Sequence, residues 1–198
     1  MTNLSFEKLE GTGNDFIVVD NRDGQYEEWI KQAPQLCDRH FGIGADGLIL
    51  VEESSSCDTK MRIINADGSE PEMCGNGIRC FAKFVADNAI ITETTFTIET
   101  LAGKIVPTLI KNNGEVTAVK VDMGAPILEA SNVPVTTVSK GQCVDEPITI
   151  DGEEYRYTAV SMGNPHAVVF VDSVATIELN RIGPKWESAD SFPERINT

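Results

Sequence analysis

The residues with the clearest capacity for chemistry lie in one stretch, Asn65-Ala66-Asp67-Gly68-Ser69-Glu70-Pro71-Glu72-Met73-Cys74-Gly75-Asn76-Gly77-Ile78-Arg79-Cys80. It reads as a polar, glycine-punctuated loop that delivers Cys74 and Asn76 to the mouth of an apolar helix. The first N–H groups of a helix have no intrahelical partners and carry partial positive charge, so they favour a thiolate and can also hold a substrate carboxylate. A cysteine placed there can take up and release a proton near neutral pH. Gly75 and Gly77 put no side chain in the way of a ligand approaching the backbone, and Asn76 either caps the helix or binds the ligand. The ordinary role of a free cysteine is that of a small buried hydrophobe; the flanking glycines and the helix start set Cys74 apart from it. Cys80 lies about 9 Å farther along the axis and on a different face, so the two thiols cannot serve one ligand atom, and Cys80 is assigned to the core.

Cys37, Cys57 and Cys143 have no comparable setting and keep the structural reading. Asn14, Asn65, Asn164 and Asn197 sit at turns beside strands, where ordinary turn chemistry explains any one of them. As a set they offer neutral donors and acceptors for the ammonium and carboxylate of an amino acid. His166 either tunes a nearby thiol or finishes a strand edge, and with Cys74 it also admits a thiol hydrolase built from a nucleophile and a base. Gly11-Thr12-Gly13-Asn14-Asp15-Phe16 begins like a dinucleotide fingerprint, but the third glycine is missing and β-formers follow where a helix should start, so nucleotide binding is not expected.

The elements that must position these residues are mostly strands. Short β-rich runs recur at Phe16-Ile17-Val18-Val19, Leu48-Ile49-Leu50-Val51, Met61-Arg62-Ile63-Ile64, Phe96-Thr97-Ile98-Glu99, residues 116–121, 155–160 and 167–171. Leu101-Ala102-Gly103 and Asp151-Gly152 read as hairpin turns, which implies antiparallel pairing of the runs they join. Helical periodicity is clearest over residues 77–88, where Ile78, Phe81, Ala82, Phe84, Val85 and Ala86 leave little of the circumference polar, the mark of a helix surrounded by protein. Weaker helical patterns cover residues 27–40, despite Pro34, and 174–181. The chain also echoes itself: Gly13-Asn14-Asp15-Phe16-Ile17-Val18-Val19-Asp20 is matched by Gly163-Asn164-Pro165-His166-Ala167-Val168-Val169-Phe170-Val171-Asp172, and Arg62-Ile63-Ile64-Asn65 by the shorter Arg195-Ile196-Asn197.

Composition bounds the partners. A formal net charge of -15, with basic residues scattered among acidic ones, excludes the electrostatic footprint of nucleic-acid binding. No apolar run approaches the ~20 residues of a membrane span, and the first residues lack the pattern of a signal peptide, so a cytoplasmic protein is expected. Five cysteines make an odd count and argue against a disulfide framework. None forms C-x-x-C and the two histidines are far apart in sequence, so no metal site is expected.

The segments Gly11 to Phe16, Asp38-Arg39-His40-Phe41-Gly42-Ile43-Gly44-Ala45-Asp46-Gly47, Asn65 to Cys80, Ser161-Met162-Gly163-Asn164-Pro165-His166 and Phe192-Pro193-Glu194-Arg195-Ile196-Asn197 together resemble the diaminopimelate epimerase family. The resemblance implies an α+β fold of two pseudo-symmetric halves, each a mostly antiparallel sheet curled around a central helix, expected here as residues 1–117 and 118–198. It implies interconversion of LL- and meso-diaminopimelate at one α-carbon, with no cofactor, by two cysteines on opposite faces of that carbon. By resemblance Cys74 is one of the pair, His166 tunes it, Asn14, Asn65, Asn164 and Asn197 bind substrate, and Gly75 with Asn76 present backbone donors to the α-carboxylate. The expected partner is the small-molecule substrate, with a second copy of the chain as a candidate, and neither nucleic acid nor membrane. In the family a Glu-Arg-Gly segment and a second Cys-Gly-Thr loop follow the position of Asn197, whereas the sequence here stops at Thr198. The second half is therefore expected to lack its central helix and the 198 residues to be inactive alone. Gly47 stands where some relatives carry a substrate-contacting glutamine. A proline racemase-like enzyme of the same fold and a non-catalytic amino-acid-binding module are the alternatives.

Overall fold

A computed structural model describes residues 3–136 and 141–198. The chain forms two compact units, Met1–Met123 and Gly124–Thr198.

The first unit is built on a six-stranded mixed sheet in sequential order: β1 (Glu7–Gly11), β2 (Asn14–Asp20), β3 (Gly47–Glu52), β4 (Thr59–Asn65), β5 (Ile98–Thr100) and β6 (Gly103–Ile105). Pairing is antiparallel except for β2 with β3 and β4 with β5. The inner strands β2 and β3 carry unbroken apolar runs, Phe16 to Val19 and Leu48 to Val51, because both of their faces are covered. Phe16 and Val18 of β2, Ile49 and Val51 of β3, and Met61 and Ile63 of β4 face a helix, α3 (Gly75–Asp87). Ile17, Val19, Leu48, Leu50 and Ile64 face the opposite layer, where the short helices α1 (Glu27–Ile30) and α2 (Ala33–Cys37) lie. Helix α3 buries Ile78, Phe81, Ala82, Phe84 and Val85 and touches β1, β2, β3 and β4. It also touches a separate hairpin, β7 (Pro107–Asn112) with β8 (Glu115–Val121), so strands surround it. Burying a side chain such as Phe81, fully enclosed here, is worth about 1.5–3 kcal/mol, which makes this helix the main anchor of the unit.

The second unit holds a three-stranded antiparallel sheet in which β10 (Glu153–Ser161) lies between β9 (Glu146–Ile150) and β11 (Pro165–Val168). The β9–β10 hairpin turns at Asp151–Gly152, both with positive φ, as a tight two-residue connection requires. One face of the sheet packs on helix α4 (Leu179–Glu187): the Trp186 ring meets Tyr155, Tyr157 and Phe192 at centroid distances of 5.5, 6.1 and 6.4 Å.

The two units share a strand plan. In β2 alternate residues divide between α3 and the layer of α1 and α2. In and after β11, Ala167 and Val169 join the core with α4, while Val168 and Phe170 are exposed, Phe170 to 90%. The face of β11 that corresponds to the α3 side of β2 is thus bare.

Several expectations are corrected. The helix expected over 27–40 is two short helices, because Pro34 suits a first turn and not an interior. The helix expected over 174–181 is a single 3-10 turn at Val174–Thr176 followed by α4, which runs through Pro184 and is held by the buried Ile182 and Trp186. A boundary at 117/118 would cut β8, and the units divide after Met123. Asn197 forms a parallel bridge with His166, as Gly47 does with Phe16. In strand register it therefore corresponds to Gly47 and not, as the shared Arg-Ile-Asn pattern suggests, to Asn65.

Candidate active site

The starts of the parallel strands β2 and β3 and the end of the antiparallel β4 meet at one end of the first sheet, where Phe16, Gly47 and Asn65 lie side by side in register and Asn14 stands two residues before Phe16 at the start of β2. Cys74 is the N-cap of α3, in extended backbone (φ -137°, ψ 116°). Its Sγ accepts a hydrogen bond from Gly77 N–H at 3.3 Å, and its thiol donates to Asn14 Oδ1 at 3.7 Å. The same Oδ1 accepts from Asn76 Nδ2 at 3.5 Å. Asn76 is turned in the opposite sense by Arg79, which donates to Asn76 Oδ1 and, at 3.0 Å, to Thr12 Oγ1. The structure thus brings Asn14, Cys74, Gly75 and Asn76 into one cluster.

Among the described residues no acceptor meets the N–H groups of Gly75 or Asn76, the first two of α3. Two open donors at a positively polarised helix end, beside a half-buried thiol, suit a carboxylate whose α-carbon faces the sulfur. The two glycines serve different ends. A Cβ on Gly77 would come within 3.2 Å of Ile49 and 3.3 Å of Cys74, so that glycine is needed for packing and does not face a ligand. On Gly75 a Cβ would meet only the flexible Met123 side chain at 3.5 Å; protein packing leaves its outer side open.

Behind Asn14 lies a charged network that sequence reasoning left unassigned. Asp46 Oδ2 accepts from Asn14 Nδ2 at 2.7 Å and from Asp15 N–H at 3.1 Å. Arg39 bridges Asp46 and Asp15 at 2.8 and 2.7 Å, and Lys8 pairs with Asp15 at 2.9 Å. The guanidinium of Arg39, with Lys8, holds the Asp15 carboxyl well below the usual carboxylate range.

Asn65 is engaged locally, its Nδ2 donating to Ser69 Oγ at 2.9 Å. A Cβ on Gly47 would lie 2.9 Å from the Ile64 carbonyl, so a longer side chain there requires that strand to shift. Cys80 and Cys37 are buried, and burial pushes the Cys80 thiol up to about 11 and raises that of Cys37. In the second unit Asn164, His166 and Asn197 cluster at one end of the sheet. His166 Nδ1 is 3.0 Å from the Asn164 carbonyl, and Asn197 donates to the Pro165 carbonyl through its backbone N–H at 3.1 Å and its Nδ2 at 3.0 Å. Among the described residues no helix is long and apolar enough to cross a membrane, and no group of three His, Cys, Asp or Glu side chains could hold a metal ion.

Comparison with known proteins decides the family. The model of the family described as diaminopimelate epimerase matches residues 6–129. A diaminopimelate epimerase of Caldanaerobacter subterraneus subsp. tengcongensis is 50% identical over 194 residues, covering 98% of this chain and 70% of that protein. One from Synechocystis is 51% identical over 199 residues with the same coverage. The chain belongs to the diaminopimelate epimerase family. Among solved structures, a hydroxyproline epimerase from Agrobacterium vitis (TM-score 0.57, 16% identity) covers 83% of this chain and 50% of its own length. A probable proline racemase from Agrobacterium radiobacter (TM-score 0.57, 16% identity) covers 93% and 55%. These likenesses establish the racemase-type α+β fold, and the chain spans about half the length of those structures.

Proposed function

We propose that this chain acts in the cofactor-independent epimerisation of LL-diaminopimelate to meso-diaminopimelate, with Cys74 as one of two acid/bases. The observation that carries the reading is the placement of Cys74 Sγ at the mouth of α3, beside the open N–H groups of Gly75 and Asn76. The substrate α-carboxylate docks on those two donors, which also stabilise the charge that spreads onto it as the α-proton leaves. The Cys74 thiolate removes the proton from one face, and an acid on the other face returns one, inverting the centre. Asn14 and Asn65 from the first unit, and Asn164 and Asn197 from the second, supply neutral contacts to the substrate, and His166 tunes the thiol chemistry.

The second acid/base is not assigned to any of the remaining cysteines. Cys37, Cys80 and Cys143 are buried, and Cys57 lies between β3 and β4 at the far end of the sheet from Cys74. It is proposed to come from polypeptide outside these 198 residues, on a helix that covers the bare face of β11, so the 198-residue chain alone is inactive. In this reading the enzyme is cytoplasmic, serves lysine and cell-wall precursor synthesis, and works as a homodimer.

The test is α-proton exchange of diaminopimelate in deuterated water, with proline and hydroxyproline as parallel substrates. Exchange of diaminopimelate by a polypeptide containing this chain and the second acid/base, and not by the chain alone, is expected. Turnover by the 198 residues at the rate of a full-length relative overturns the two-chain-segment reading. Exchange of proline in place of diaminopimelate overturns the substrate.

A further inference from the structure

The neighbours of Cys74 offer it one donor and one acceptor. Gly77 N–H points at the sulfur and stabilises the thiolate; Asn14 Oδ1 receives the S–H and stabilises the thiol. A residue that must alternately take and return a proton needs both, and the second depends on which end of the Asn14 amide faces the sulfur. An amide can present either its oxygen or its NH2, so something must choose.

Asp46 makes that choice. An ionised carboxylate only accepts hydrogen bonds, so its Oδ2, 2.7 Å from Asn14 Nδ2, admits only the NH2 end and turns Oδ1 towards Cys74 and Asn76. The carboxylate is itself fixed: Asp15 N–H donates to the same oxygen and Arg39 to the other one. Asp46 N–H donates to the Asp15 carbonyl at 2.9 Å, and Ala66 N–H to the Asp46 carbonyl at 3.0 Å, which ties the residue into both flanking strands. Arg39 also bridges two adjacent carboxylates that would otherwise repel, and Lys8 supplies the second positive charge at Asp15.

We propose that Asp46, clamped by Arg39, is a positioning residue that locks the Asn14 amide with its oxygen towards Cys74, so that this thiol is stabilised in its protonated as well as its ionised form. The inference rests on the reading of Cys74 as an acid/base, but its test does not use the epimerase reaction. Arg79 of α3 is held by Thr12 and Asn76, and the Cys80 thiol is pushed up to about 11 by burial, so Cys80 does not ionise near neutrality.

The experiment is the pH dependence of Cys74 alkylation by iodoacetamide in the 198-residue chain, read site by site by peptide mass. In Asp46→Asn the Asn14 amide is free to flip and bring its NH2 to the sulfur, favouring the thiolate. Alkylation at pH 7 is expected to be about three- to tenfold faster, the range of one modest hydrogen bond, with the profile displaced to lower pH. Asn14→Ala removes the acceptor and should give a similar acceleration. In the Asn14→Ala background, adding Asp46→Asn should change little, the non-additivity of residues that act through one another. A through-space charge effect would survive in that background at full size and would overturn the proposal, as would an unchanged profile in either single variant. Unfolding is recognised separately because the buried Cys37, Cys80 and Cys143 would then react as well. A coupled pair of effects without any α-proton exchange in a longer polypeptide would leave the positioning role intact and remove only the epimerase reading.

Discussion

The two units start from the same strand and finish differently. In β2 the residues Phe16 and Val18 are covered by α3 and lie at 2% and 0% exposure; of their counterparts after the second Gly-Asn turn, His166 is half-buried and Val168 39% exposed, and the next residue along that face, Phe170, is 90% exposed. The opposite faces are treated alike, with α1 and α2 behind one strand and α4 behind the other. An open apolar groove of about 790 Å³ beside β11, lined by Val169, Ile177, Leu179, Ile182 and Trp186 among others, adds to the uncovered surface. The contrast shows what the central helix contributes. It closes the core of its unit and, through its N-terminal turn, makes the end of the sheet a place where a thiol and two open donors converge. Among the described residues the second sheet has only its outer helix α4, and Asn164, His166 and Asn197 lie at its end without that electrostatic focus.

This comparison can be broken most directly at its chemical end. Cys74→Ala in an active epimerase containing this chain should lower the α-proton exchange rate by about 10²–10⁴-fold, the range for loss of a positioned acid/base. His166→Ala, which alters the second unit, should cost less, and an equal loss would remove the priority given to Cys74. Stability offers the next largest effect. Phe81→Ala should destabilise the first unit by about 3–5 kcal/mol, measured by urea unfolding. Phe170→Ser should shift the 198-residue chain by no more than about 0.5 kcal/mol; a loss comparable with that of Phe81 would mean its ring is covered in solution.

Pulsed alkylation in urea sharpens the same contrast, because Cys80 reports on the first core and Cys143, fully buried, on the second. Cys143 should become reactive at the lower urea concentration, since the second unit has a bare face. The reverse order would make α4 and its aromatic cluster the stronger anchor. The smallest effect concerns acid stability. The Asp15 carboxyl, its folded-state pKa lowered by Arg39 and Lys8, stabilises the first unit at neutral pH. That contribution is lost as pH falls below the ordinary carboxylate range, about pH 4. Asp15→Asn should flatten the acid limb of the first unit's stability curve by less than about 1 kcal/mol and leave the second unit's unchanged.

The sequence was most readable where one physical demand dominates. The all-round apolar pattern identified α3 to within two residues of its start, whereas the cap it offered, Asn76, lies inside the first turn and Cys74 is the N-cap. The β5–β6 and β9–β10 hairpins followed from their turns. Strands that are half exposed were not legible. In β1, Glu7-Lys8-Leu9-Glu10-Gly11, only Leu9 carries an apolar side chain, and β9 has Pro147 in second place, tolerable because it is an edge strand. Helix α4 lies C-terminal to the expected 174–181 and runs through Gly183 and Pro184, held by the buried Ile182 and Trp186. At the site, Cys74, Gly75, Asn76 and Asn14 were found by type and spacing. Asp46 and Arg39 were not, since a carboxylate that orients an amide leaves no periodic trace and is recognised only from the pairing of β2 with β3.

Every group that seats Cys74, namely Asn14, Gly77, Asp46 and Arg39, comes from the first unit. The geometry of the thiol is therefore inherited by any polypeptide that begins with this unit. During synthesis on a ribosome, residues 1–123 can close around α3 before later segments emerge. The consequence is one of timing: every residue that contacts the Cys74 sulfur is synthesised before the second unit begins at Gly124.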